Sequence, residues 1–157
     1  MKTLVIYDSV YGNTEKIARA IGEGLASKSE DVKVVSTTEA SSSELDVHDL
    51  LVIGSPTHGG RTSPDMKEFL DEIPDGSLRN LKVGAFDTRT GGKNQKLWVR
   101  IITGVLGFAA GRIGKVLEQK GGDLVAEPEG FNVIDKEGPL EKGELDRALK
   151  WGKGILR

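Results

Sequence analysis

The sequence predicts an α/β domain, a doubly wound five-stranded parallel sheet in the order 2-1-3-4-5 with helices on both faces. Short β-branched runs alternate along the chain with longer segments of helical period. Two of the runs, Leu4-Val5-Ile6 and Leu50-Leu51-Val52-Ile53, are apolar without interruption, as strands covered on both faces are. The 157 residues suit one domain, and five strands with their helices fill it.

The strands are expected at Leu4–Tyr7, Val32–Ser36, Leu50–Gly54, Leu81–Phe86 and Leu124–Val125, the last resuming at Phe131–Ile134. Ile17, Ile21 and Leu25 mark a first helix from about Thr14 to Ser27. Glu39–Val47 has room only for a short or degenerate helix. Met66, Phe69, Leu70 and Ile73 fall on one helical face, with Ser63 placed to cap it and Pro64 in its first turn. Ile113, Val116 and Leu117 mark a third helix, closed by Gly121-Gly122. Leu145, Ala148, Leu149 and Trp151 mark the last, from about Gly143.

Glycine is in excess, 21 residues in 157, nearly double the roughly 7% usual in proteins. Lys+Arg number 22 against 24 Asp+Glu, a net charge of −2, which argues against a nucleic-acid binder. Cysteine is absent, so disulfides, thiolate metal sites and cysteine nucleophiles are excluded. The N-terminal apolar run is too short for a signal peptide, and Leu97–Ala110 is interrupted by Arg100 and too short for a span. The expectation is a cytoplasmic protein with no membrane span.

In a sheet of this order ligands bind at the carboxyl ends of the strands, where the order reverses. After strand one the sequence runs Asp8-Ser9-Val10-Tyr11-Gly12-Asn13-Thr14 and a helix starts at once. Free N–H groups and the helix dipole make such a start an anion site, while Asn and Thr are also ordinary helix caps. No G-x-x-x-x-G-K-[ST] is present, and Gly22-Glu23-Gly24 lies too late in its helix for a dinucleotide fingerprint. A phosphomonoester held by neutral donors is the better match.

The stretch Ile6–Ala18 resembles the FMN phosphate loop of the flavodoxin-like family, especially that of A-type flavoprotein domains and flavodoxin-like quinone reductases. Gly54-Ser55-Pro56-Thr57-His58-Gly59-Gly60 and Asp87-Thr88-Arg89-Thr90-Gly91-Gly92 resemble the family's two flavin-facing loops. The resemblance implies FMN as cofactor. Ser9, Val10, Tyr11, Gly12, Asn13 and Thr14 would hold its phosphate. Pro56, Thr57, His58 and Gly59 would line the ring, with Gly59 or Gly60 free to flip a peptide. Asp87, Thr88, Arg89, Thr90, Gly91 and Gly92 would meet the ring's polar edge.

Two departures stand out. Val10 and Tyr11 replace the hydroxyl residues usual in classical flavodoxins, and neither flavin-facing loop carries an aromatic residue. Tyr11, His58 and Trp98 are the candidates to stack on the ring. The resemblance implies an electron carrier serving redox partner proteins. The alternatives are an FMN-dependent NAD(P)H:quinone reductase and a flavin-less module that only binds partners. No catalytic side chain is required by the first reading.

Other features read more plainly. His48 is expected at the surface or as a cap, and two histidines without matched spacing argue against a metal site. A phosphate-receiver domain shares the strand order, but Ser55 and Pro128 stand where its acceptor Asp and its Lys belong. Gly104, Gly107, Gly111 and Gly114 predict close helix packing, against the sheet or in a homo-oligomer. The long connection from Thr88 suggests a flap over the flavin. Arg89, Lys93, Lys96 and Arg100 against Asp87 suggest a basic rim that eases full reduction or docks an anionic donor.

Overall fold

A computed structural model describes residues 1–90 and 108–156. Its elements follow the expected alternation: β1 (Lys2–Tyr7), α1 (Asn13–Ala26), β2 (Asp31–Ser36), a 3₁₀ turn (Ser42–Val47), β3 (Leu50–Pro56), α2 (Pro64–Glu72) and β4 (Lys82–Thr90). After the undescribed stretch come α3 (Ala109–Gln119), β5 (Asp123–Leu124), β6 (Glu129–Val133) and α4 (Glu144–Ile155). The sheet order is β2-β1-β3-β4-β5, all parallel, with β6 also paired to β4.

Alternation along each strand divides the core in two. Leu4, Ile6, Leu51 and Ile53 join Met66, Phe69 and Leu70 of α2 and Ile113 and Leu117 of α3 on one face. Val5, Tyr7, Leu50, Val52 and Phe86 join Ile17, Ile21 and Leu25 of α1 and Ala148 of α4 on the other. There the rings of Phe86, Phe131 and Trp151 meet edge to face, with centroids 6.3–6.5 Å apart. Ser63 caps α2 as expected, its hydroxyl accepting from the Met66 N–H at 3.3 Å. His48 ends the 3₁₀ turn, its Nδ1 3.0 Å from the Glu44 carbonyl.

Two expectations need correction, the end of β4 and the start of the third helix. β4 does not stop at Phe86: Asp87, Thr88, Arg89 and Thr90 continue the strand, paired to Gly130 through Val133 on β6. Their polarity suggests a loop, but the ladder pairs their backbone, and Asp87, Thr88 and Arg89 have side-chain partners. The fifth strand comes in two segments, as expected, with β5 on the early half of β4 and β6 on the late half. Pro128, which has no N–H to donate, falls in the gap. The third helix begins only at Ala109. Gly104, Gly107 and the connection expected to form a flap lie outside the described residues.

Gly114 does sit at a close approach, since a Cβ there would lie 3.1 Å from Pro128 Cγ. Among the described residues no helix is long and apolar enough to cross a membrane.

Candidate functional site

The carboxyl ends of β1, β3, β4 and β6 open into one pocket. Its first wall is the turn between β1 and α1. Gly12, at φ 91°, ends that turn in the left-handed region and brings the chain into the helix without a side-chain cap. Ser9 Oγ takes the capping role from further back, accepting from the N–H groups of Gly12 (3.0 Å) and Glu15 (3.4 Å). The N–H groups of Val10, Tyr11, Asn13 and Thr14 have no acceptor among the described residues. Amides left without an acceptor at a helix start make an anion cradle.

Side chains lock this cradle to its neighbours. Thr14 Oγ1 lies 2.8 Å from Thr88 Oγ1, tying α1 to the end of β4. Asn13 Nδ2 donates to the Glu137 carbonyl at 3.2 Å, tying it to the turn after β6. The side chains expected to face a ligand thus have internal partners, which leaves the backbone as the main donor set.

The second wall follows β3. Pro56, Thr57 and His58 line the pocket. His58 and Arg61 close a tight turn by reciprocal backbone hydrogen bonds of 2.8 and 3.0 Å. Gly59 (φ 55°) and Gly60 (φ 79°) are its central pair, and a two-residue turn of this hand requires positive φ at both. Arg112 Nε of α3 steadies it by donating to the Gly60 carbonyl at 2.8 Å. Thr57 is held from two sides, its N–H donating to the Thr88 carbonyl and its Oγ1 accepting from the Ala109 N–H.

The third wall is β4 itself, through Thr88, Arg89 and Thr90. Asp87 is fully buried and does not line the pocket. Its carboxylate accepts from Arg89 and from the Ala110 N–H at 2.9 Å. Gly91, Gly92, Trp98 and the cations Lys93, Lys96 and Arg100 lie outside the described residues. Tyr11, one of the candidate stackers, lines the pocket and is largely exposed.

Burial pushes the Asp87 carboxyl above the usual carboxylate range, with Arg89 and the Ala110 N–H pulling back. A carboxyl raised on folding takes up protons as the chain folds. Its stabilising contribution is therefore full below about pH 4, the unfolded value, and is lost as pH rises through the folded one. Asp87→Asn should flatten that decline towards neutrality, read from urea midpoints across pH.

Val133 and Lys136 complete the lining and were not expected from the sequence. The available signal was Asp135-Lys136-Glu137-Gly138-Pro139, a turn-forming run just beyond the Phe131–Ile134 strand. With the edge strand ending at Val133, Pro128 no longer marks the place after the last strand. The case against a receiver domain then rests on Ser55.

The sequence model of the flavodoxin family matches residues 5–146. An NAD(P)H dehydrogenase (quinone) of Azorhizobium caulinodans is 32% identical over 189 aligned positions, covering 99% of this chain and 94% of the relative. A flavodoxin of Aquifex aeolicus is 34% identical over 113 residues, 68% of this chain and 61% of its own length. A solved flavodoxin from the domain Archaea superposes with a TM-score of 0.75 at 25% identity, covering 99% of this chain and 96% of that one. Sheet order, strand-end pocket and sequence thus agree, and the chain belongs to the flavodoxin family.

Proposed function

We propose that this chain binds FMN in the strand-end pocket and carries electrons between redox partners. The observation that carries this reading is the cradle of amides at Val10, Tyr11, Asn13 and Thr14, unpaired among the described residues, which opens onto a cleft walled by three further strand ends. A phosphomonoester fits the cradle, because amide donors and the helix dipole favour an anion. Pro56, Thr57 and His58 and the end of β4 would line the FMN ring. When bound, FMN supplies the redox chemistry. The chain's own residues bind the phosphate, orient the ring and set its electrostatic surroundings.

The test is direct. Purified protein should take up FMN stoichiometrically, with a shifted flavin absorbance and quenched fluorescence. Protein that stays colourless with FMN added would overturn the reading.

A second reading, an FMN-dependent NAD(P)H:quinone reductase, is favoured by the quinone dehydrogenase relative that matches over nearly its whole length. Rapid NADH or NADPH oxidation with a quinone, and no separate reductase, would select it over the carrier.

A further inference from the structure

Asp87 and Arg89 sit two residues apart on β4 and so share a face of the sheet, the one toward α3. Arg89 Nε donates to Asp87 Oδ1 and Arg89 Nη2 to Oδ2, both at 2.7 Å, a planar two-point clamp. The Phe108 ring lies 3.7 Å from the guanidinium carbon. The guanidinium also needs glycine at residue 130, where any Cβ would collide with it. The guanidinium therefore has one place to be.

The two charges are not equivalent toward the pocket. Arg89 lines it, with its side chain 17% exposed, whereas the Asp87 side chain is 0% exposed and turned to the start of α3. The pair is thus a dipole with its positive end at the pocket. Stability alone is a poor reason for such a pair, since buried ion pairs are often replaceable by apolar residues at no cost.

We propose that Arg89 is a fixed charge that favours the anionic reduced form of FMN over the oxidised form, and that Asp87 sets the strength of that preference by partial neutralisation. This rests on the FMN reading above. Burial of the pair limits screening by salt, so the preference should persist at high ionic strength.

The experiment uses the full chain loaded with FMN at pH 8. It measures the ratio of dissociation constants for oxidised and fully reduced FMN, from the potentials of bound and free flavin. Arg89→Gln should lower the ratio about tenfold, and Asp87→Asn, which leaves the cation unopposed, should raise it by a similar factor. Arg89→Lys keeps the charge but loses the two-point clamp and the stacking on Phe108, so its ratio should fall by less than that of Arg89→Gln.

A purely structural pair would shift both variants the same way. Shifts of one sign, or of less than about twofold, overturn the proposal while leaving FMN binding intact. A parent protein that takes up no FMN overturns the functional reading and this proposal together. If Arg89→Gln does not fold, the sign of the Asp87→Asn shift decides alone.

Discussion

Gly24→Ala and Gly152→Ala should each destabilise the protein by about 2 kcal/mol, although both replace glycine with the best helix former. The propensity gain is about 1 kcal/mol in an exposed helix. The packing cost is larger. A Cβ on Gly24 of α1 would stand 2.2 Å from the Leu149 carbonyl oxygen of α4 and 2.9 Å from the Lys153 nitrogen. A Cβ on Gly152 would stand 2.4 Å from the Ile21 carbonyl oxygen. These are backbone atoms that cannot rotate away, so the helices must part, and overpacking of this kind costs about 1–3 kcal/mol or more.

The two substitutions share one contact and should not add. Once the first methyl has spread the helices, the second enters a gap already made. The double variant should lose clearly less than the sum. Gly84→Ala on β4 is the control with the opposite sign. Its nearest neighbours, Val52 and Trp151, are 3.6 and 3.8 Å from a built Cβ. The substitution should therefore stabilise by about 0.5 kcal/mol, through lost freedom in the unfolded chain. Urea midpoints with an unchanged slope measure all four. A neutral Gly24→Ala would mean that the helices do not meet backbone to backbone.

That crossing also shows where the sequence stops being legible. Strands buried on both faces announce themselves, as Leu50-Leu51-Val52-Ile53 does, because no polar residue is tolerated on either side. The helix capped by Ser63 is equally local. The reason for Gly24 is not, since its partner atoms lie more than 120 residues away on α4.

The end of β4 is hard to read in the sequence for a related reason. Asp87-Thr88-Arg89-Thr90 has loop composition, and only the tertiary structure supplies the Arg89 clamp, the Ala110 N–H and the β6 ladder that make it strand. The stretch that resembles a phosphate loop could be read because its residues lie within one short run of sequence, Ser9 to Thr14. Lys136 lies in the turn beyond β6, and only the pairing of β6 with the late half of β4 brings that turn beside the β1 loop.

Ser9→Asp should cost FMN about a hundredfold in affinity and leave riboflavin within about threefold. Ser9 Oγ already accepts from the Gly12 and Glu15 N–H groups, so a side chain one atom longer carries a carboxylate into the same cluster of donors. The cradle would then hold an anion of its own.

Unit charges about 4 Å apart repel by about 4 kcal/mol at an effective dielectric near 20. Val10 and Tyr11, 56% and 46% exposed, admit solvent and reduce that to about 3 kcal/mol, roughly a hundredfold. Riboflavin lacks the phosphate and should not register the change. The FMN-free protein should not be weakened, because a carboxylate beside a helix N-terminus is itself stabilising by about 0.5 kcal/mol.

The substitution is cleaner than truncating Asn13 and Thr14, whose side chains also hold Glu137 and Thr88 and would confound binding with folding. Ser9→Ala removes the acceptor without adding charge, and should cost FMN only a few-fold. Parallel fluorescence titrations with the two flavins decide the matter. Equal losses for FMN and riboflavin would mean that the phosphate is held elsewhere, and that the unpaired amides at Val10, Tyr11, Asn13 and Thr14 serve some other anion.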